Sequence, residues 1–131
     1  MAAKQLVESE IEAGKALVRA LDSNAFDVQA ALWLYSSDTE AWRFVIATPG
    51  VPQQLQQKYL EAAVIISNWR QNHPNEAILD LSNVRLVGPG EALIVGLRPI
   101  IQVNGLGDVR FSNNLVNGVY VEDALIHRMA A

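Results

Sequence analysis

Ser112, Asp123 and His127 are the residue types of a hydrolytic triad, and all three lie in the last twenty or so residues of the chain. Whether they can meet depends on the strands that carry them. Asn117-Gly118 stands between two apolar runs, which predicts a two-residue hairpin, because a type I′ turn needs positive φ at both central positions. With those two residues as the loop, Val116 faces Val119, Phe111 faces Ala124 and Val109 faces Ile126. One face then carries Val109, Phe111, Leu115, Tyr120, Ala124 and Ile126 and turns inward. The other carries Arg110, Ser112, Asn114, Asp123 and His127 and turns outward, as antiparallel sheets commonly do. On one strand Asp123 and His127 are separated by about 13 Å, whereas triad members must be in hydrogen-bond contact. The expected arrangement is an exposed diagonal ion pair between Arg110 and Asp123, worth about 0 to 1 kcal/mol.

Asp80 is a second carboxylate of interest, because it falls within the apolar run Ile78-Leu79-Asp80-Leu81. A carboxylate in such a setting is a candidate for binding or acid–base work. Asp80, Arg110, Asp123 and His127 therefore form the candidate polar site. Arginines supply all the Lys/Arg charge of the second half (Arg70, Arg85, Arg98, Arg110, Arg128) and suit carboxylate or phosphate recognition. Asp80 with Glu122 and Asp123 would hold Mg²⁺ in the manner of a nuclease, but that chemistry also asks for a strand lysine. Lys4, Lys15 and Lys58 all fall on predicted helices. With no cysteine and only His73 and His127, thiolate zinc sites and cysteine nucleophiles are excluded. P-loop, nucleophile-elbow, zinc-protease and EF-hand patterns are absent. Gly88-Pro89-Gly90 lacks the third glycine of a dinucleotide loop, and Pro89 removes an amide donor. No metal, no cofactor and no catalytic residue is expected, which leans against an enzyme.

Two other groups suggest recognition rather than catalysis. Tyr35 and Trp42, with Arg43, lie at the tip of a predicted hairpin, where aromatic anchors would serve an interface. Leu60 and Val64 project from a predicted helix on the side opposite its main apolar stripe, so that helix needs a second neighbour.

The elements that position these residues follow from periodicity. Residues 3–21 read as an amphipathic helix with Leu6, Val7, Ile11, Gly14, Leu17, Val18 and Leu21 inward. Residues 28–36 and 42–48 read as strands of a hairpin centred near Asp38 and Thr39. One face of that hairpin carries Trp33, Tyr35, Trp42, Phe44 and Ile46. The other carries Leu32, Leu34, Val45 and Arg43, so the pair belongs mid-sheet with cover on both sides. A second helix over about 52–71 places Pro52 in its first turn and Leu55, Tyr59, Ala62, Ile66 and Trp69 on its main stripe. Residues 77–82 read as a short strand, extendable through 84–87. Residues 90–103 read as a helix that ends or kinks before Pro99. The order α-β-β-α-β-α-β-β predicts one α+β domain over 1–131, a mainly antiparallel sheet of about five strands with about three helices.

Composition narrows the function classes. The chain has 131 residues, 50% of them hydrophobic and 18% charged, enough to build a full core and unlike a disordered chain. Its net charge of −4 argues against a nucleic-acid partner, which would select a basic face. Glu8, Glu10 and Glu12 stand where a signal peptide needs an apolar run. No stretch approaches the roughly 18 apolar residues of a membrane span. A cytoplasmic location follows by elimination. The function expected is a small non-catalytic interaction or accessory module that forms homo-oligomers or binds a protein partner. The alternative is a small-ligand binder, or an enzyme of unrecognised type, using Asp80 with nearby arginines.

Overall fold

A computed structural model describes residues 5–130. Its elements are α1 (Glu8–Ser23), β1 (Ala30–Ser36), β2 (Ala41–Ala47), α2 (Leu55–Asn72), a 3-10 turn (Leu81–Asn83), β3 (Val84–Val87), α3 (Ala92–Leu97), β4 (Val109–Val116) and β5 (Val119–Met129). The five strands form one sheet in the order β3-β2-β1-β5-β4. All neighbours are antiparallel except β2 and β3. The α+β class and the element order are those the periodicity predicts.

β1 lies at the centre and is apolar on both faces: Leu32 and Trp33 are both buried although they point to opposite sides. The sheet therefore supports two cores. On one face Trp33, Phe44, Ile46, Leu86 and Leu125 pack under α1 and α2. On the other, Leu32, Val45, Ala124 and Ile126 pack under α3 and the segment through Val103. The β1–β2 register pairs Ser36 with Ala41 and Trp33 with Phe44, as the hairpin centred on Asp38 and Thr39 requires. α1 approaches this pair closely at Gly14, where a Cβ would lie 3.2 Å from both Phe44 Cε1 and Trp33 Nε1. The first residues of the expected first helix, 3 and 4, lie outside the described residues. The helix itself begins at Glu8, after Val7 in extended conformation.

Four expectations are corrected. Pro52 precedes the second helix, because the turn closed by the Gln54 N–H on the Gly50 carbonyl delays its start to Leu55. Residues 77–82 form no strand: Leu79 is buried against α1 and its N–H donates to the Ala13 carbonyl. The strand is Val84–Val87, which runs parallel to β2 after the α2 crossover. In the last hairpin the register is as expected, with Val109 opposite Ile126 and Val116 opposite Val119. Its faces, however, exchange midway. Asn113 has φ 55° and, with Glu122, is missing from the ladder. Asparagine tolerates this left-handed conformation better than most residues. Beyond it Val116 and Val121 turn into the core, while Leu115 and Tyr120 are 71% and 57% exposed. Finally, His127 is completely buried rather than on an outer face. It keeps the face of Asp123 and Leu125, but at this end of β5 that face is covered by α1, against Phe44 and near Lys15. Ala31 pairs with Arg128 while Leu32 pairs with Ile126, so His127 is also the extra residue of a β-bulge.

Edge strand β3 is closed by a side chain. The Tyr59 hydroxyl donates to the Val84 carbonyl at 3.3 Å and accepts from the Leu86 N–H at 3.0 Å. It occupies the position a neighbouring strand would take, and exposed edges of this kind invite aggregation. Tyr59→Phe is expected to lower stability by about 1 to 3 kcal/mol, read as a lower urea midpoint at unchanged slope. An unaltered midpoint would show that water satisfies the β3 edge equally well.

Candidate functional site

The sequence-derived polar residues do not converge. β3 and β4 are opposite edges of the sheet, four strand spacings or about 19 Å apart. Asp80, just before the 3-10 turn that leads into β3, is therefore remote from Arg110 and Asp123 on β4 and β5. Asp80 is exposed, and its side chain makes no capping hydrogen bond to the 3-10 turn. Among the described residues no three His, Asp or Glu side chains cluster to hold a metal ion, and no helix is long and apolar enough to cross a membrane.

Arg110 and Asp123 form the expected ion pair in bidentate form, Nε to Oδ1 at 3.0 Å and Nη2 to Oδ2 at 2.8 Å. The guanidinium also lies 5.5 Å from the Trp42 ring centroid. Hydrogen bonding to Asp123 raises the Arg110 pKa above its ordinary value. Tyr35 and Trp42, at the β1–β2 tip, pack at 5.4 Å between ring centroids, and Tyr35 is buried. The tip is thus an ordered aromatic cluster with Arg110 laid over its outer ring. Ser112 faces Asp123 across the hairpin, but His127 lies four residues farther along β5, buried against Phe44 and hydrogen-bonded to Gly107, so no triad forms.

His127 is a structural group. Its Nδ1 lies 2.7 Å from the Gly107 carbonyl and 3.3 Å from Asp108 Oδ1. A carbonyl only accepts, so Nδ1 carries the proton and Nε2 is the bare nitrogen. Nε2 is buried without a hydrogen-bond partner, as is the Trp33 Nε1. Burial lowers the imidazole pKa from its ordinary value, against the opposing pull of the Gly107 hydrogen bond and of the Asp108 and Glu12 charges. Lys15, ion-paired to Asp108 at 3.0 Å, adds to the lowering. The ring sits 6.2 Å from Phe44, a setting that favours the neutral form.

Two surfaces remain. Leu60 and Val64 on α2 are 68% and 59% exposed. Separately, a cleft of about 410 Å³ lies where β2 runs past the start of β3, lined by Arg43, Arg85, Leu34, Val45 and the hydroxyls of Ser36, Thr39 and Ser82. Of these, Arg43 belongs to the interaction surface expected from the sequence, and Arg85 is singled out there only as one of five second-half arginines. Arg85 joins Arg43 through the parallel pairing of Val45 with Arg85, which no local pattern announces.

The buried imidazole makes stability depend on pH. As pH falls through about 6.5 the unfolded chain binds the proton first. Stability is thus full above that value and is lost as the pH falls toward the depressed folded pKa, by at most about 1.4 kcal/mol per unit. The urea midpoint of H127Q is expected to fall less than that of the parent between about pH 7 and pH 5. Parallel slopes would contradict a buried neutral His127. No family model, curated protein or solved structure matches the chain, so its own geometry carries the functional reading.

Proposed function

We propose that this chain is a small interaction module that self-associates through the outer face of α2. The carrying observation is the exposure of Leu60 and Val64 on adjacent turns of a helix whose opposite side, at Ala62 and Ile66, is buried in the core. Large apolar side chains held in water on neighbouring turns are a natural contact point for another surface.

A second copy suits this face. The stripe Gln57, Leu60, Val64, Ser67 and Gln71 follows helical spacing and contains no charge. A two-fold contact presents the same patch from both sides, so an uncharged stripe brings no like charges together at its centre. An antiparallel pairing that crosses between Leu60 and Val64 sets each leucine against the other copy's valine. A depression of about 350 Å³ beside the stripe, bordered by Phe26, Val64 and Ile65, offers room for an incoming side chain. Hetero-association with a protein presenting a similar apolar helix would use the same residues.

The size of the face sets the strength. α2 has 18 residues, about 27 Å of helix, and one face of it covers on the order of 300 Å² per copy. Stable complexes bury about 800 Å² per partner. The association is therefore weak, with a dissociation constant on the order of tens of micromolar. Sedimentation velocity over rising concentration is expected to show a monomer–dimer equilibrium. Leu60→Asp or Val64→Asp should weaken it at least about tenfold, since a charge would be buried against its own copy. Both sites are exposed, so stability should change by no more than about 0.5 kcal/mol. Monomer at every concentration, or a dimer indifferent to both substitutions, would refute the proposal.

A further inference from the structure

We infer that the cleft between β2 and the 3-10 turn binds a small oxyanion-bearing molecule, with its carboxylate or phosphate held by Arg43 and Arg85. The cleft exists because two elements stop short. β3 begins at Val84, opposite Phe44, so residues 41–43 of β2 extend past it while Leu81–Asn83 turns aside. α3 has only 6 residues and leaves Leu34 at this end of the second face half-buried. The result is an opening of about 410 Å³, within the range of small-molecule sites.

Its chemistry is specific. Val45 pairs with Arg85, and Arg43 lies two residues before Val45 on the same strand. Alternation along β2 thus puts both guanidiniums on one face. Arg43 has no carboxylate partner among the described residues. Arg85 has Glu91 at 3.4 Å, with both side chains exposed. That is longer than the roughly 2.7–2.9 Å of a strong charge-assisted bond, so an incoming anion can displace or share it. Arg43 and Arg85 are the charged residues that line the cleft, and no carboxylate is among its lining residues. Ser36, Thr39 and Ser82 hydroxyls and the Asn83 amide surround them, and Leu34 and Val45 line the floor. Guanidiniums suit the planar or tetrahedral oxygens of an anion, the hydroxyls add neutral donors, and the floor accepts a compact apolar body. This inference is independent of self-association: the cleft lies on β2 and β3, away from Leu60 and Val64.

The test is amide chemical-shift titration with inorganic phosphate and, separately, with benzoate, against sodium chloride at equal ionic strength. Saturable shifts confined to Ser36–Arg43 and Ser82–Arg85 are expected for at least one probe. Tighter binding of benzoate would assign a carboxylate with an apolar body, and tighter binding of phosphate a phosphate ester. R43A and R85A, both surface changes, should each weaken binding about ten- to a hundredfold, while R110A should leave it unaltered. R43K keeps the charge but loses the planar fork, and should fall between the parent and R43A. Shifts reproduced by chloride, shifts centred on Arg110 and Asp123, equal affinity in the parent and both cleft variants, or no saturable shift with either probe would overturn the inference.

Discussion

The burial of β1 on both faces governs this structure. Trp33 and Leu32 are successive residues, both buried and on opposite sides of the sheet, so the chain must cover the sheet twice. α1 and α2 cover one side through the Trp33–Phe44 pair, whose ring centroids lie 4.9 Å apart. α3 and the segment that follows it cover the other. Removing either layer would expose a row of large apolar side chains at about 25 cal/mol per Å². The two cores therefore depend on each other through a single strand.

Coverage is complete at the centre and incomplete at the margins, and the margins carry the candidate functions. α2 buries one flank against α1 and β3 and leaves Leu60 and Val64 outside. α3 is too short to reach the far end of the second face, where Arg43 and Arg85 border an open cleft. The irregularities of β5 belong to the same adjustment. Alternation from Leu125 places the His127 imidazole on the α1 side, and the extra residue there allows Ile126 and Met129, three apart, both to enter the other core. The left-handed Asn113 turns Val116 and Val121 toward α3. There a Cβ on Gly96 would lie 2.6 Å from Val116 Cγ1, so the absence of a side chain at Gly96 lets the helix and hairpin approach.

Much of this was legible locally. The Asn117-Gly118 turn specified the register of the last hairpin, and alternation in β1 and β2 specified which residues share a face. The exposure of Leu60 and Val64 followed from helical spacing. What escaped were features that depend on partners distant in sequence. Ile78, Leu79 and Leu81 look like a strand because they are apolar, but part of this run packs on α1, and Asp80 stays in solvent. The bulge at His127 is defined by the pairing of β1 with β5, not by any pattern around residue 127. Arg43 and Arg85 become neighbours only through a four-residue parallel strand too short to announce its direction. Asn113-Asn114 was the one available warning that the β4–β5 faces would exchange.

Hydrogen–deuterium exchange by segment, compared at low and high protein concentration, bears most directly on this account. The expected result is that β1 exchanges slowest at both concentrations, because both layers protect it, and that α2 is the segment whose protection rises with concentration. Exchange of β1 as fast as that of α3 would contradict the two-sided core. Concentration-dependent protection that appears in the β4–β5 hairpin instead of α2, or nowhere, would contradict the proposed association surface.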